Sequence, residues 1–174
     1  MAKRYPFFFA LILLAVGCAS SVTRDIAIEA DADPKVNFDG YSSYTWLGSA
    51  AIVNDPKGKW EPPQFDADAQ IKFLIDRELR ARGMSEDSVS PDMIVAFAAG
   101  IDMEGMEIGI DPESELVALQ DVPLGALAVI LIDADTGNAI WIGSATAEIQ
   151  QSPDQETIKK RLDFAVTQMF RKLP

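Results

Sequence analysis

The sequence predicts an α+β fold of two layers: a mostly antiparallel sheet of about five strands with two helices on one face, in the order β-β-α-β-β-β-α. Three observations carry this expectation. Apolar residues recur at helical spacing at Ile71, Leu74, Ile75 and Leu79, and again at Ile158, Leu162, Ala165, Val166, Met169 and Leu173. Between these stretches, Leu124 to Asp133 and Asn138 to Gln150 read as two strands joined by Ala134-Asp135-Thr136-Gly137, a hairpin signal. Tightly alternating βαβ units are absent, which argues against a doubly wound sheet.

Each element has its own local reason. Val22 to Glu29 places Ile26 and Ile28 on one face and reads as a first strand, with Arg24 blurring the alternation. After the turn signals Asp33-Pro34 and Asp39-Gly40, Tyr44 to Leu47 is a run of β-formers and a second strand. From Gly48 to Phe65 no periodicity is visible, and Trp60-Glu61-Pro62-Pro63 should be extended, because proline restricts its own φ and its predecessor. A helix follows, capped by Asp66 or Asp68 and stopped at Gly83, with Arg80 and Arg82 where the helix dipole favours cations. Met93 to Ile101 is nearly continuously apolar, as in a central strand or one buried on both faces. Residues 102–121 are acidic and glycine-containing, with GMEIGI as the one strand candidate, and stay unassigned. The final helix is expected to start from a capping box of Ser152, Pro153 and Gln155.

The first residues point to export. Lys3 and Arg4, the apolar run from Phe7 to Val16, and the small residue Gly17 have the layout of a secretory signal peptide. The run is about half the ~20 residues a membrane-spanning helix needs. The segment Leu14-Ala15-Val16-Gly17-Cys18, ending in the only cysteine of the chain, resembles a bacterial lipobox. That resemblance implies cleavage before Cys18, a diacylglycerol on its sulfur and an acyl chain such as palmitate on its new amine. Ala19 then implies sorting to the outer membrane, with the domain facing the periplasm. Expected divisions are a signal peptide at 1–17, the lipidated cysteine and a short tether at 18–21, and one α+β domain at 22–174. A mature chain of 157 residues is long enough to fold on burial alone, and with its one thiol acylated it has no internal disulfide.

Charge is unevenly spread. The mature chain carries 13 basic residues against 27 acids, and residues 83–158 hold 15 acids with no Lys or Arg. A field of that sign repels nucleic acid and anionic headgroups, so neither is expected as a partner. Asp102, Glu104, Glu107, Asp111, Glu113 and Glu115 form a candidate for loose cation binding, though acids at such density also serve simply to keep a surface solvated. No metal or other cofactor is expected. Asp133-Ala134-Asp135-Thr136-Gly137 begins like a calcium loop, but its glycine is fifth and its twelfth residue is Ser144, so it reads as a turn.

The absent residue types narrow the chemistry further. Without histidine, and with Cys18 taken by lipid, Ser-His, Cys-His and the usual zinc chemistry are unsupported. Neither S-x-x-K, G-x-S-x-G nor a glycine-rich phosphate loop occurs. The chain is therefore expected not to be an enzyme, a carboxylate-dependent hydrolase being the residual catalytic option. Tyr44, Trp46 and Trp141 are expected in the core, whereas Trp60 with Pro62 and Pro63 is a candidate partner contact in a loop that offers little core.

Several stretches together resemble one family. NFDGYSSYTWL at 37–47, IKFLIDRELRARG at 71–83, PDMIVAF at 91–97, LAVILIDADTGNAIWIGSA at 127–145 and TIKKRLDFAVTQMFRKLP at 157–174 are similar to the bacterial lipoproteins grouped as domain of unknown function 4136. The resemblance implies an envelope lipoprotein and transfers no functional residue. The expectation is a non-catalytic, outer-membrane-anchored periplasmic lipoprotein that binds another envelope component, such as an envelope protein, as a binding or assembly accessory. The alternative is a small-molecule or lipid carrier with a pocket between sheet and helices.

Overall fold

The computed structural model describes residues 21–53, 63–101, 106–110, 117–121, 125–148 and 153–174. Strands β1 (Ala27–Ala32) and β2 (Ser43–Val53) precede helix α1 (Ala67–Ala81), followed by the two-residue β3 (Ser85–Glu86) and β4 (Met93–Ile101). Next come β5 (Met106–Ile110), β6 (Val117–Asp121), β7 (Ala126–Asp133), β8 (Ala139–Thr146) and helix α2 (Gln155–Phe170).

The fold is α+β, as the sequence predicts, but the sheet is mixed and has six strands, in the order β1-β8-β7-β4-β2-β3. Three pairings are antiparallel, β1 with β8, β8 with β7 and β7 with β4. β2 lies parallel to β4 and to β3, because α1 carries the chain back between β2 and the strands that follow it. β3 adds the sixth strand, and β5 pairs with β6 in a separate antiparallel ladder within the unassigned acidic stretch.

Several local expectations shift. The first strand starts at Ala27, not Val22, because Ser21–Thr23 forms a 3-10 turn, and the inward alternation runs on through Ile28, Ala30 and Ala32. β2 extends to Val53, into the stretch without periodicity, because β4 supplies a parallel partner from Tyr44↔Met93 to Val53↔Ile101, interrupted only by a bulge at Leu47. Of the two cap candidates, Asp66 accepts the Ala69 amide at 2.9 Å. The cap of α2 is Asp154, not Ser152; its carboxylate accepts the Thr157 amide at 2.8 Å, a stronger acceptor than a serine hydroxyl. Gly83 and Gly137 take the positive φ that ends α1 and turns the β7–β8 hairpin, at 82° and 72°.

Both helices pack on one face of the sheet. Ile71, Leu74, Ile75 and Leu79 of α1 and Ala165, Val166, Met169 and Phe170 of α2 meet Val95, Phe97, Leu127, Val129, Leu131 and Trp141 in one core. Tyr44 and Trp141 are buried and Trp46 is partly so, as expected. Trp141 packs on Phe170, while Trp46 bridges Tyr44 and Phe97 edge to face. Asp76 is the one buried charge among the described residues, and it is well served: Tyr44 Oη donates at 2.7 Å, Trp46 Nε1 at 3.2 Å and Lys72 Nζ at 3.1 Å. Burial and that hydrogen bond push the Tyr44 phenol well above its usual range.

Candidate functional site

Side chains alternate along a strand, so a sheet covered on one face only must show its other set of residues elsewhere. In β4 the core takes Met93, Val95 and Phe97, leaving Ile94, Ala96 and Ala98 on the opposite side. In β7 the core takes Leu127, Val129 and Leu131, leaving Ala128, Ile130 and Ile132, and in β8 Ile142 falls on that same far side. Register brings them together: Ile94 is paired with Ile132, Ala96 with Ile130, and Ile130 with Ile142. These four isoleucines are half-buried, shielded by one another and by low-lying alanines, and no helix among the described residues covers them. At the β2 side the register shifts between Trp46 and Gly48, leaving Leu47 unpaired and 67% exposed. The open face is thus an apolar surface, rimmed on β1 by exposed Glu29 and Asp31.

Charge separates by layer. Among the described residues no strand holds a Lys or Arg, whereas Lys72, Arg77, Arg80, Lys159, Lys160 and Arg161 lie in the helices and Arg82, Arg171 and Lys172 at their ends. Some of these cations are structural. Arg77 joins the two helices through Asp163 and Thr167 while holding Glu78, and the carboxylates raise its pKa above the usual guanidinium range. Arg161 grips Asp25 with both branches, at 2.8 and 2.6 Å, and also donates to the Val22 carbonyl. That grip fastens the start of the domain to α2, and it lowers the Asp25 pKa to about 2 against the opposing effect of desolvation.

At the end of the sheet where β2 and β4 begin, Asp92 accepts from both the amides and hydroxyls of Ser42 and Ser43, at 2.8–2.9 Å. These donors lower its pKa to about 2. Nearby, Tyr41 Oη donates to Asp133 at 2.7 Å, and desolvation together with that carboxylate pushes the phenol up to about 12. These acids are occupied in holding loops together. Among the described residues no cluster of three Asp, Glu, Cys or His side chains is placed to hold a metal ion.

Most residues singled out from the sequence lie outside the described residues: Leu14, Ala15, Val16, Gly17, Cys18, Trp60, Pro62, Asp102, Glu104, Asp111, Glu113 and Glu115. Pro63 is half-buried at the approach to α1, and Glu107 belongs to β5. The open face was missed in the sequence, although its signal was there. Met93 to Ile101 is apolar at both alternations, a pattern that predicts cover on both faces or a central place in the sheet. It is central, and its second face has no helix over it among the described residues.

A family model described as Domain of unknown function (DUF4136) matches residues 28–174. Among solved structures, a DUF4136 family protein from Bacteroides thetaiotaomicron is similar with a TM-score of 0.60 at 13% identity, over 86% of this chain and 96% of that one. A PDZ domain protein from Parabacteroides distasonis gives a TM-score of 0.52, also at 13% identity, over 86% of this chain and 36% of that longer one. At such identities the likeness is one of fold. No curated protein matches.

Proposed function

We propose that this chain, which belongs to the DUF4136 family, is a non-catalytic lipoprotein tethered through Cys18 to the periplasmic side of the outer membrane, and that it binds another envelope protein through the open face of its sheet. The observation that carries the reading is the contiguous apolar strip of Ile94, Ile130, Ile132 and Ile142. Half-buried isoleucines side by side, with no helix over them among the described residues, form the kind of apolar patch that marks an interaction site. The anchor rests on the resemblance of residues 14–18 to a lipobox. The non-catalytic reading rests on the missing histidine and the cysteine committed to lipid.

The carrier alternative asks for a cavity between sheet and helices. That space is packed with Tyr44, Ile75, Leu79, Met93, Trp141 and Phe170, all essentially inaccessible to solvent, which favours a binding surface over an internal pocket.

The test is purification of the full lipidated chain from solubilised membranes, beside Ile130→Glu and Ile142→Glu variants whose folding is checked by circular dichroism. The reading expects a stoichiometric envelope protein with the unmodified chain and its loss from both folded variants. Recovery of an isolated monomer, or a partner retained by both variants, would overturn it.

A further inference from the structure

We infer that the outer face of α2 docks onto the phosphodiester headgroups of the membrane that holds the chain, an inference that rests on the proposed anchor at Cys18. A groove of about 420 Å³ runs along this face, lined by Thr23 and by Lys160, Asp163, Phe164, Thr167 and Arg171 of α2 and its end. Positions 160, 163, 164, 167 and 171 form one stripe of the helix.

The groove is cationic in effect. Its one acid, Asp163, is engaged by Arg77; Lys160 interacts with Asp154 at longer range, but neither Lys160 nor Arg171 makes a salt bridge among the described residues. Lys172, exposed and equally without a salt bridge among the described residues, follows directly. Phe164 lies between the two cations of the stripe. Cations flanking an aromatic ring suit an interface where phosphates meet the first acyl carbons.

Geometry brings this face to the bilayer. The 3-10 turn Ser21–Thr23 packs against α2, and Arg161 holds the Val22 carbonyl and Asp25. Cys18 lies three residues before Ser21. At ~3.3–3.6 Å per extended residue, these three residues span at most about 11 Å. An acylated Cys18 therefore keeps the end of the groove at Thr23 within reach of the headgroups.

The negative net charge suggests repulsion from such a surface, but the structure separates the charges. The strands, none of which carries a Lys or Arg among the described residues, lie behind the helix layer, whereas residues 155–172 hold five cations against Glu156 and Asp163, and screening over a Debye length of ~8 Å weights the charges nearest the surface. Each Lys or Arg at an anionic surface strengthens binding by about fivefold.

The test reconstitutes the full lipidated protein in phosphatidylcholine vesicles with and without about one third phosphatidylglycerol. Flotation reports anchoring, and the rate of lysine acylation, read by mass spectrometry, reports docking. The expected result is Lys160 labelling slowed about tenfold on the anionic vesicles, with exposed Lys35 unchanged, and protection lost in Arg171→Glu although the variant still floats. Equal Lys160 rates on both vesicles, for protein that floats, would overturn the docking and leave the anchor standing. Protein that does not float would overturn the anchor, and the docking with it.

Discussion

Replacing Gly143 with alanine tests how tightly the layers fit. A Cβ at this position of β8 would meet the Trp141 indole, 2.3 Å from Cη2 and 2.8 Å from Cζ2, well inside van der Waals contact. The indole has nowhere easy to go: it is 1% exposed and its ring centroid lies 5.3 Å from that of Phe170 on α2. Overpacking a filled core costs about 1–3 kcal/mol, and a clash with a rigid ring wedged against a second one belongs at the upper end. Gly143→Ala is therefore expected to lose about 3 kcal/mol, roughly a hundredfold in the folding equilibrium. Two alanine controls isolate the cause. Gly137→Ala meets no atom within 4 Å but must hold a φ of 72°, which costs about 1–2 kcal/mol. Gly40→Ala, with open space and no positive φ, should stay within about 0.5 kcal/mol of the parent. Urea unfolding followed by far-ultraviolet circular dichroism measures all three without relying on tryptophan emission. If Gly143→Ala proves no worse than Gly137→Ala, the packing of Trp141 between sheet and α2 is misdescribed.

Asp76→Ala would leave Tyr44 Oη and Trp46 Nε1 without their shared acceptor, and a loss of about 2–5 kcal/mol in the same unfolding assay is expected. The Asp25 and Asp92 carboxyls have folded pKa values of about 2, lowered from 3.8. Their stabilisation is thus complete above about pH 4 and is lost as pH falls towards 2; Arg161→Met should remove the Asp25 share and flatten the stability profile across that window. Tyr41, raised from 10.0 to about 12, contributes stability below pH 10 that is lost as pH rises through 12. Ultraviolet titration should show one phenol ionising near 12, returning towards 10 in Asp133→Asn.

The helices were legible in the sequence because their apolar spacing and their terminal charges agree. The β7–β8 hairpin was legible for a similar reason, Gly137 being able to supply the turn conformation that its flanking apolar runs require. Less readable was β2 beyond Leu47: Gly48, Ser49, Ala50 and Ala51 are poor strand formers alone, and they are held by pairing with β4, a contact between positions some fifty residues apart. Cap choice at α2 went to Asp154 over Ser152, a competition between neighbours that spacing alone does not decide. The open face is not legible in the sequence because an apolar strand shows which residues avoid water, while the layer that covers each face is set by where the helices land. The charge asymmetry was visible as a long stretch without cations, but its consequence depended on all the helical cations lying outside the strands.

In-cell photo-crosslinking from two positions, Ile130 on the open sheet face and Lys160 on the outer face of α2, distinguishes the two surfaces in one experiment. A discrete protein adduct is expected from position 130, and from position 160 lipid adducts without that protein. The same protein captured equally from both positions, or no protein captured from position 130, would contradict a domain that faces its membrane with its helices and its partner with its sheet.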